Sequence, residues 1–211
     1  MQDTLFPKND HLIEKQLGEL AELKGRIGWC GLTAKEYTQK GPFFLSVYSL
    51  NYGDYVDFRD AFHISEERYA ESPEIMLKEG DILICKDGAG IEKCGIVGEI
   101  KEKTTINSSL LLIRSSKDVL PKYLYRFLCS PSFQKIVNSQ LDGSTTPHLY
   151  QHVIKKFPIL LPSISVQMEI IDKLDSLRED TKQIEKNYQQ KLVEIDALKK
   201  SILQKTFNGE L

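Results

Sequence analysis

The chain has 211 residues, of which 41% are hydrophobic and 27% charged, and its net charge is −2. That is enough apolar material for a packed core, which excludes wholesale disorder, and the charge is too balanced for a uniformly basic nucleic-acid coat. No apolar run approaches the ~18 residues that a membrane span needs. Met1 to Lys15 has no apolar stretch behind basic residues, so no secretory signal is expected and the cytoplasm is the expected location.

In chain order, the first unusual segment is Lys24 to Lys35. It holds three basic residues (Lys24, Arg26, Lys35), three glycines (Gly25, Gly28, Gly31) and the sole tryptophan, Trp29. Glycine lets backbone approach a ligand closely. Lys and Arg satisfy phosphates, and Arg can read guanine bidentately. A turn-rich connection with Trp29 as a buried anchor explains the same residues, and both readings stand. Phe43–Val47, Asp81–Cys85, Gly95–Ile100 and Leu110–Ile113 are short apolar runs bounded by turn residues, and each predicts a strand. Ser65 before Glu66 and Glu67 predicts a capped helix start. Asp87-Gly88-Ala89-Gly90 predicts the tip of a β-hairpin flanked by Lys86 and Lys93. Pro121–Leu128, Ser132–Leu141 and His148–Lys156 predict short helices. The loop Gly143–Leu149 leads into the last, with Thr146 as its cap and Pro147 at its first position. Strands and helices mix without βαβ alternation, so the class is α+β, a globular domain with a twisted mixed sheet and short helices.

From Gln167 onward there is no proline, and no glycine before Gly209. Apolar residues fall at Ile170, Leu174, Leu177, Ile184, Tyr188, Ile195, Leu198 and Ile202. With Thr181 and Lys191 as polar members, these make a ten-position heptad seam. Pro162 precedes the helix, Ser165 is its expected N-cap, and Asn208-Gly209 its stop. At 1.5 Å per residue the rod is roughly 60 Å long. It outruns a domain about 35 Å across and needs a partner helix for its stripe. An antiparallel pair would bring the two Tyr188 residues close together.

The familiar enzyme signatures are missing: no phosphate-binding P-loop, no H-E-x-x-H and no G-x-S-x-G. Gly88-Ala89-Gly90 continues into a strand instead of opening a helix, which argues against a dinucleotide site. Cys30, Cys85, Cys94 and Cys129 form no C-x-x-C pair and predict free thiols in a reducing compartment. His148 and His152 could share a helix face but lack a third ligand nearby, so no metal is expected.

Several of these segments together resemble the target-recognition half of a type I restriction–modification DNA specificity subunit. They are Leu17 to Glu22 running into Gly25–Trp29, Leu77–Leu83, Gly143–Leu149, Phe157–Pro162 followed by Gln167, and the tail Leu198–Leu211. The resemblance covers residues ~15–211. It implies a subunit without catalytic chemistry or bound cofactor. Globular domains in that family each read half of a split DNA site. Long helices pair antiparallel to space them and dock an adenine methyltransferase (modification) subunit, which brings S-adenosylmethionine. A restriction (helicase–nuclease) subunit can then join.

A full member of the family has two readers and two helices, whereas this chain has one of each. Half-length members can homodimerise, which would make the recognised site a bipartite palindrome. A piece of a longer chain and a silent cassette are alternatives, and so is a coiled-coil assembly protein with no DNA targeting of its own. The expected division is a DNA-binding domain over 1–162 and a dimerisation and spacer helix over 163–211. Lys24, Arg26, Trp29, Lys35, Lys86 and Lys93 are the expected contacts to double-stranded DNA, with lysines on phosphates, Arg26 on a base edge and Trp29 supporting or stacking. The eight apolar seam residues are the expected homodimer interface. Residues 1–166 carry 20 basic and 21 acidic side chains. DNA affinity of the subunit alone should therefore be weak and salt-dependent, with tight binding requiring the methyltransferase.

Overall fold

The computed structural model describes residues 12–26, 32–139 and 148–209. Its chain divides into two compact units, one ending at Met168 and the other running from Glu169 to Leu211. Three sheets make up the first. Strands β1 (Ile13–Gln16) and β9 (Pro158–Leu161) pair antiparallel. Four more form the central sheet: β2 (Ala21–Gly25), β8 (Leu110–Ser115), β5 (Ile82–Cys85) and β6 (Cys94–Ile96), in the order β2-β8-β5-β6. The third sheet sets β3 (Thr38–Leu45) between antiparallel β4 (Phe62–His63) and parallel β7 (Thr104–Ile106).

The central sheet is apolar on both faces, which is why β5 spells an unbroken apolar run instead of an alternation. Its register pairs Leu83 with Leu112 and Cys85 with Leu110. These four belong to a buried cluster with Leu45, Leu50, Val56, Ile75, Leu77, Val97 and Ile106. The alternate pairs, Ile82 with Ile113 and Ile84 with Leu111, are equally buried on the opposite face. At the sheet end, Arg114 clamps the 2% exposed Asp81 with two hydrogen bonds of 2.7 Å. Six helices punctuate the described chain: α1 (Leu17–Leu20), α2 (Glu66–Ala70), α3 (Pro121–Leu128), α4 (Pro131–Ser139), α5 (Gln151–Ile154) and α6 (Ile164–Phe207). Helix α3 starts with proline at its first turn, as the sequence predicts, and packs on β6 and β8. The Ser65 hydroxyl accepts from Arg68 N–H and caps α2.

The structure moves several expected boundaries. Strand β3 ends at Leu45, and Val47 begins a 3-10 turn. Strand β6 stops at Ile96, because Val97 N–H turns to the Asp81 carbonyl at 2.7 Å. Lys24 and Gly25 lie in a strand, not in a turn-rich connection, because β8 supplies an edge for β2 to pair with. Trp29 and the cap Thr146 lie outside the described residues. Pro147 does too, and α5 starts at Gln151. Ser165 is not the N-cap of the long helix. The Ser163 carbonyl already accepts from Gln167 N–H at 2.9 Å, which puts Ser165 inside the first turn. Gln167 locks that turn, its Oε1 accepting from Leu120 N–H at 2.8 Å and its Nε2 donating to the Pro162 carbonyl at 3.0 Å.

At 1.5 Å per residue the 44-residue α6 is about 66 Å long. Leu177, Ile184, Tyr188, Ile195, Leu198 and Ile202 are all about half exposed or more, and Leu174 is half-buried. Ile170 differs. It is 6% exposed in the single chain, so covering it adds almost nothing to a helix pair. Leu192, 60% exposed, joins the stripe where the heptad places Lys191. At about 100° per residue Leu192 lies some 40° from Tyr188. Lys191 instead sets its ammonium 5.8 Å from the Tyr188 ring centroid.

Candidate nucleic-acid interface

Three segments singled out by sequence meet at one cavity of about 600 Å³. Gly25 and Arg26 come from the first, Lys86 from the base of the hairpin, and His148 and Leu149 from the end of the polar loop. Tyr150, Gln151, His152 and Lys155 complete most of its wall. Residues so far apart in sequence converge because the 148–157 segment is pinned at successive points. Leu149 N–H donates to the Lys86 carbonyl at 2.8 Å. Asp87 and His148 form an isolated antiparallel bridge, and the Asp87 carboxylate meets His148 Nδ1. Gln151 Nε2 donates to the Leu23 carbonyl of β2. Gly18 N–H then donates to the Lys155 carbonyl at 2.9 Å. A Cβ on Gly18 would lie 3.0 Å from Lys155 Cβ, so a bare backbone here is what admits Lys155 so closely.

The hairpin closes beside this wall. Strands β5 and β6 pair antiparallel, and Cys85 N–H donates to the Lys93 carbonyl at 2.9 Å. Between them Gly88–Gly90 forms a 3-10 turn opened by Gly88 at φ +73°, a conformation that disfavours a side chain. Lys86 Nζ lies 3.8 Å from Asp87, whose carboxylate it shares with His148. The rings of His148, Tyr150 and His152 follow one another edge to face and tilted, with centroids 4.5 and 5.6 Å apart. Tyr150 is 56% exposed.

The other expected contacts fall as follows. Arg26 is 3% exposed, and its guanidinium is committed inward. Nε donates to the Ile106 carbonyl at 3.1 Å, the terminal nitrogens approach Ser72 Oγ and Thr105 Oγ1, and the group lies 5.4 Å from the Phe44 ring centroid. Such an arginine ties β2 to β7 and is not placed to read a base edge. Lys24 pairs with Glu22 at 2.9 Å, and Lys93 donates to Asn51 Oδ1 at 2.6 Å. Lys35 is exposed on the 3-10 turn Ala34–Glu36, whose Glu36 accepts from Thr33 N–H. Of the five expected residues that are described, Arg26 and Lys86 line the cavity. His152, Lys155 and Tyr150 are wall residues that sequence reasoning missed. The four-residue spacing of His148 and His152 is the sequence signal for this wall, and it is equally compatible with a surface or capping role.

Away from the cavity, the Cys94 and Cys129 side chains interact beside Tyr125. The hydrogen bond from Cys94, helped by Tyr125 and the Arg126 charge, lowers the Cys129 thiol to about 7. Cys94 moves well up, through that same contact and its burial. No described helix is long and apolar enough to cross a membrane. Among the described residues no group of three or more histidine, cysteine or acidic side chains could hold a metal.

A family model described as the type I restriction modification DNA specificity domain matches residues 10–194. The specificity subunit of the type I restriction enzyme EcoKI, from Escherichia coli K12, is 31% identical over 140 residues, covering 64% of this chain and 30% of that subunit. Among solved structures, a chain from work on complex assembly and conformational transition of the type I R-M system matches at a TM-score of 0.75 and 18% identity. That match covers 98% of this chain and 47% of the other. The crystal structure of the HsdS subunit from Thermoanaerobacter tengcongensis matches at 0.66 and 19% identity, covering 98% of this chain and 48% of that one. The chain thus spans about a third of the curated relative's length and about half of the solved chains.

Proposed function

Because this chain belongs to the type I restriction–modification DNA specificity family, we propose that it recognises a DNA sequence on behalf of a restriction–modification complex and carries no catalytic chemistry of its own. The observation that carries this reading is the family match, which runs through the globular unit and far into α6. The convergence of basic residues from distant segments on one open cavity supports it. The globular unit is the reader, and the cavity with the adjoining hairpin is its DNA-facing region.

The exposed stripe of α6 joins two copies as a homodimer. Two identical readers about a twofold axis select a bipartite palindrome. The same helices dock an adenine methyltransferase subunit, with S-adenosylmethionine bound there and not on this chain, and a helicase–nuclease subunit is a further partner. The test is a base-modification map of host DNA after co-expression with a methyltransferase subunit of the same system. Methylated adenines in a bipartite palindrome are expected. An asymmetric bipartite motif would overturn the homodimer, and no motif from a soluble, associated pair of proteins would overturn DNA targeting.

A further inference from the structure

We propose that the cavity beside the hairpin seats a backbone phosphate of duplex DNA, held by Lys86, His152 and Lys155, and that it positions the duplex without reading its bases. The proposal rests on the DNA-recognition function above and assigns a task within it.

The chemistry of the wall sets the class of ligand. No carboxylate from the described residues lines the cavity. Two polar side chains that could read a base edge are engaged within the domain. Gln151 spends its amide N–H on the Leu23 carbonyl, and Arg26 is turned inward on Ile106. The wall also carries the ammonium groups of Lys86 and Lys155, the ring of His152 and the exposed Tyr150. Base edges present mixed donors and acceptors, whereas a phosphate presents acceptors only. A wall with two ammonium groups and, among the described residues, no carboxylate fits the second.

Geometry adds to this. His152 and Lys155 are three apart on one helical turn, both exposed, and therefore share a face. Lys155 makes no ion pair among the described residues. Among the described residues Lys86 has a 3.8 Å contact with Asp87, a carboxylate it shares with His148. Over residues 1–166 the charges nearly cancel. A local donor cluster is therefore what such a domain can offer a polyanion.

The experiment uses the full chain assembled with its methyltransferase subunit and a duplex carrying the motif found by modification mapping. Binding is measured between 50 and 200 mM salt for the wild type, Lys155→Ala, His152→Ala and the conservative Lys155→Arg, with the exposed Lys135→Ala as control. Each neutralised phosphate contributes about 0.9 to the slope of log affinity on log salt. Lys155→Ala removes one contact from each of the two copies on the bipartite site, so it should lower the slope by about twice that amount. Its defect should then shrink roughly tenfold between 50 and 200 mM salt. Cognate and single-mismatch duplexes should be weakened equally, Lys155→Arg should restore binding, and Lys135→Ala should match the wild type. Unchanged affinity and slope in both alanine variants would overturn the phosphate site, and so would a loss confined to the cognate duplex, which would make these residues base readers. Failure of the wild-type complex to bind any mapped motif would instead sink the DNA-recognition reading.

Discussion

Replacing Arg26 separates two accounts of the Lys24–Lys35 segment. As a DNA reader, Arg26 would leave the fold intact when truncated and shift sequence preference. As the buried tie seen here, it should cost stability. Its Nε bond to the Ile106 carbonyl at 3.1 Å is charge-assisted, in the class worth about 1.5–3 kcal/mol. The approaches to Ser72 at 3.4 Å and Thr105 at 3.5 Å are long and add little. The Phe44 ring at 5.4 Å contributes about 0.5–2 kcal/mol. Truncation also removes the apolar stem from a 3% exposed position, while releasing a buried charge returns part of its desolvation. The net for Arg26→Ala is about 3 kcal/mol of destabilisation, which for a chain of this length lowers the melting temperature by about 6–12 °C. Arg26→Met keeps the stem and should lose roughly half as much. Differential scanning calorimetry on the purified chain reads both. A melting temperature within about 2 °C of wild type, together with an altered DNA preference, would refute the structural role.

Arg114→Ala should be costlier, at about 3–5 kcal/mol in urea unfolding, because it strands the 2% exposed carboxylate of Asp81; adding Asp81→Asn should recover a large part, and no recovery would count against the pair. The Cys129 thiol is lowered to about 7, so its thiolate fills as pH rises through 7 and its alkylation rate should climb to a plateau above pH 8, ahead of Cys85 and Cys94. Both of those are buried with raised values, and peptide mapping that found either one modified first would contradict this. Ile195→Glu removes an apolar contact worth about 1.5–3 kcal/mol from each copy and adds a charge. Sedimentation should then show a monomer where the wild type is a dimer, with melting of the globular unit unchanged; equal masses would reject the stripe as the interface. Tyr188→Cys should cross-link two copies under mild oxidation if their helices run antiparallel, and no cross-link in a confirmed dimer would reject that orientation.

The elements legible in the sequence are those decided by local chemistry. Unbroken apolar runs gave β5 and β8, proline at a first turn gave α3, and the heptad spacing gave α6. Illegible were elements that exist only through distant partners. Ala21–Gly25 is a strand because β8 lies beside it, and Pro158–Leu161 because β1 does. The same division holds at the candidate interface. Arg26 and Lys86 were named from their local setting. Burial then turned Arg26 inward, a fact set by β7, some eighty residues away. Lys155 was invisible because its place depends on Gly18 lacking a side chain to meet it. At Lys191 the exposed apolar stripe of α6 steps aside to Leu192, since 3.6 residues per turn does not divide a seven-residue repeat.

On the proposed function, a near-neutral reader and a long exposed stripe make sense together. Sequence-independent attraction to DNA grows with each neutralised phosphate, and it weakens discrimination when the cation count is high. A domain with 20 basic and 21 acidic residues has little of that attraction to spend. On the proposed function, its contacts favour one sequence over others but bind weakly alone. Joining two such readers turns the second contact into an intramolecular event. Affinity then rises through effective concentration, without added non-specific charge. A stripe half exposed or more over Leu177–Ile202 is the kind of surface that can make this join. Breaking it at Ile195 should therefore cost DNA affinity far more than it costs the fold, although no residue that touches DNA has changed.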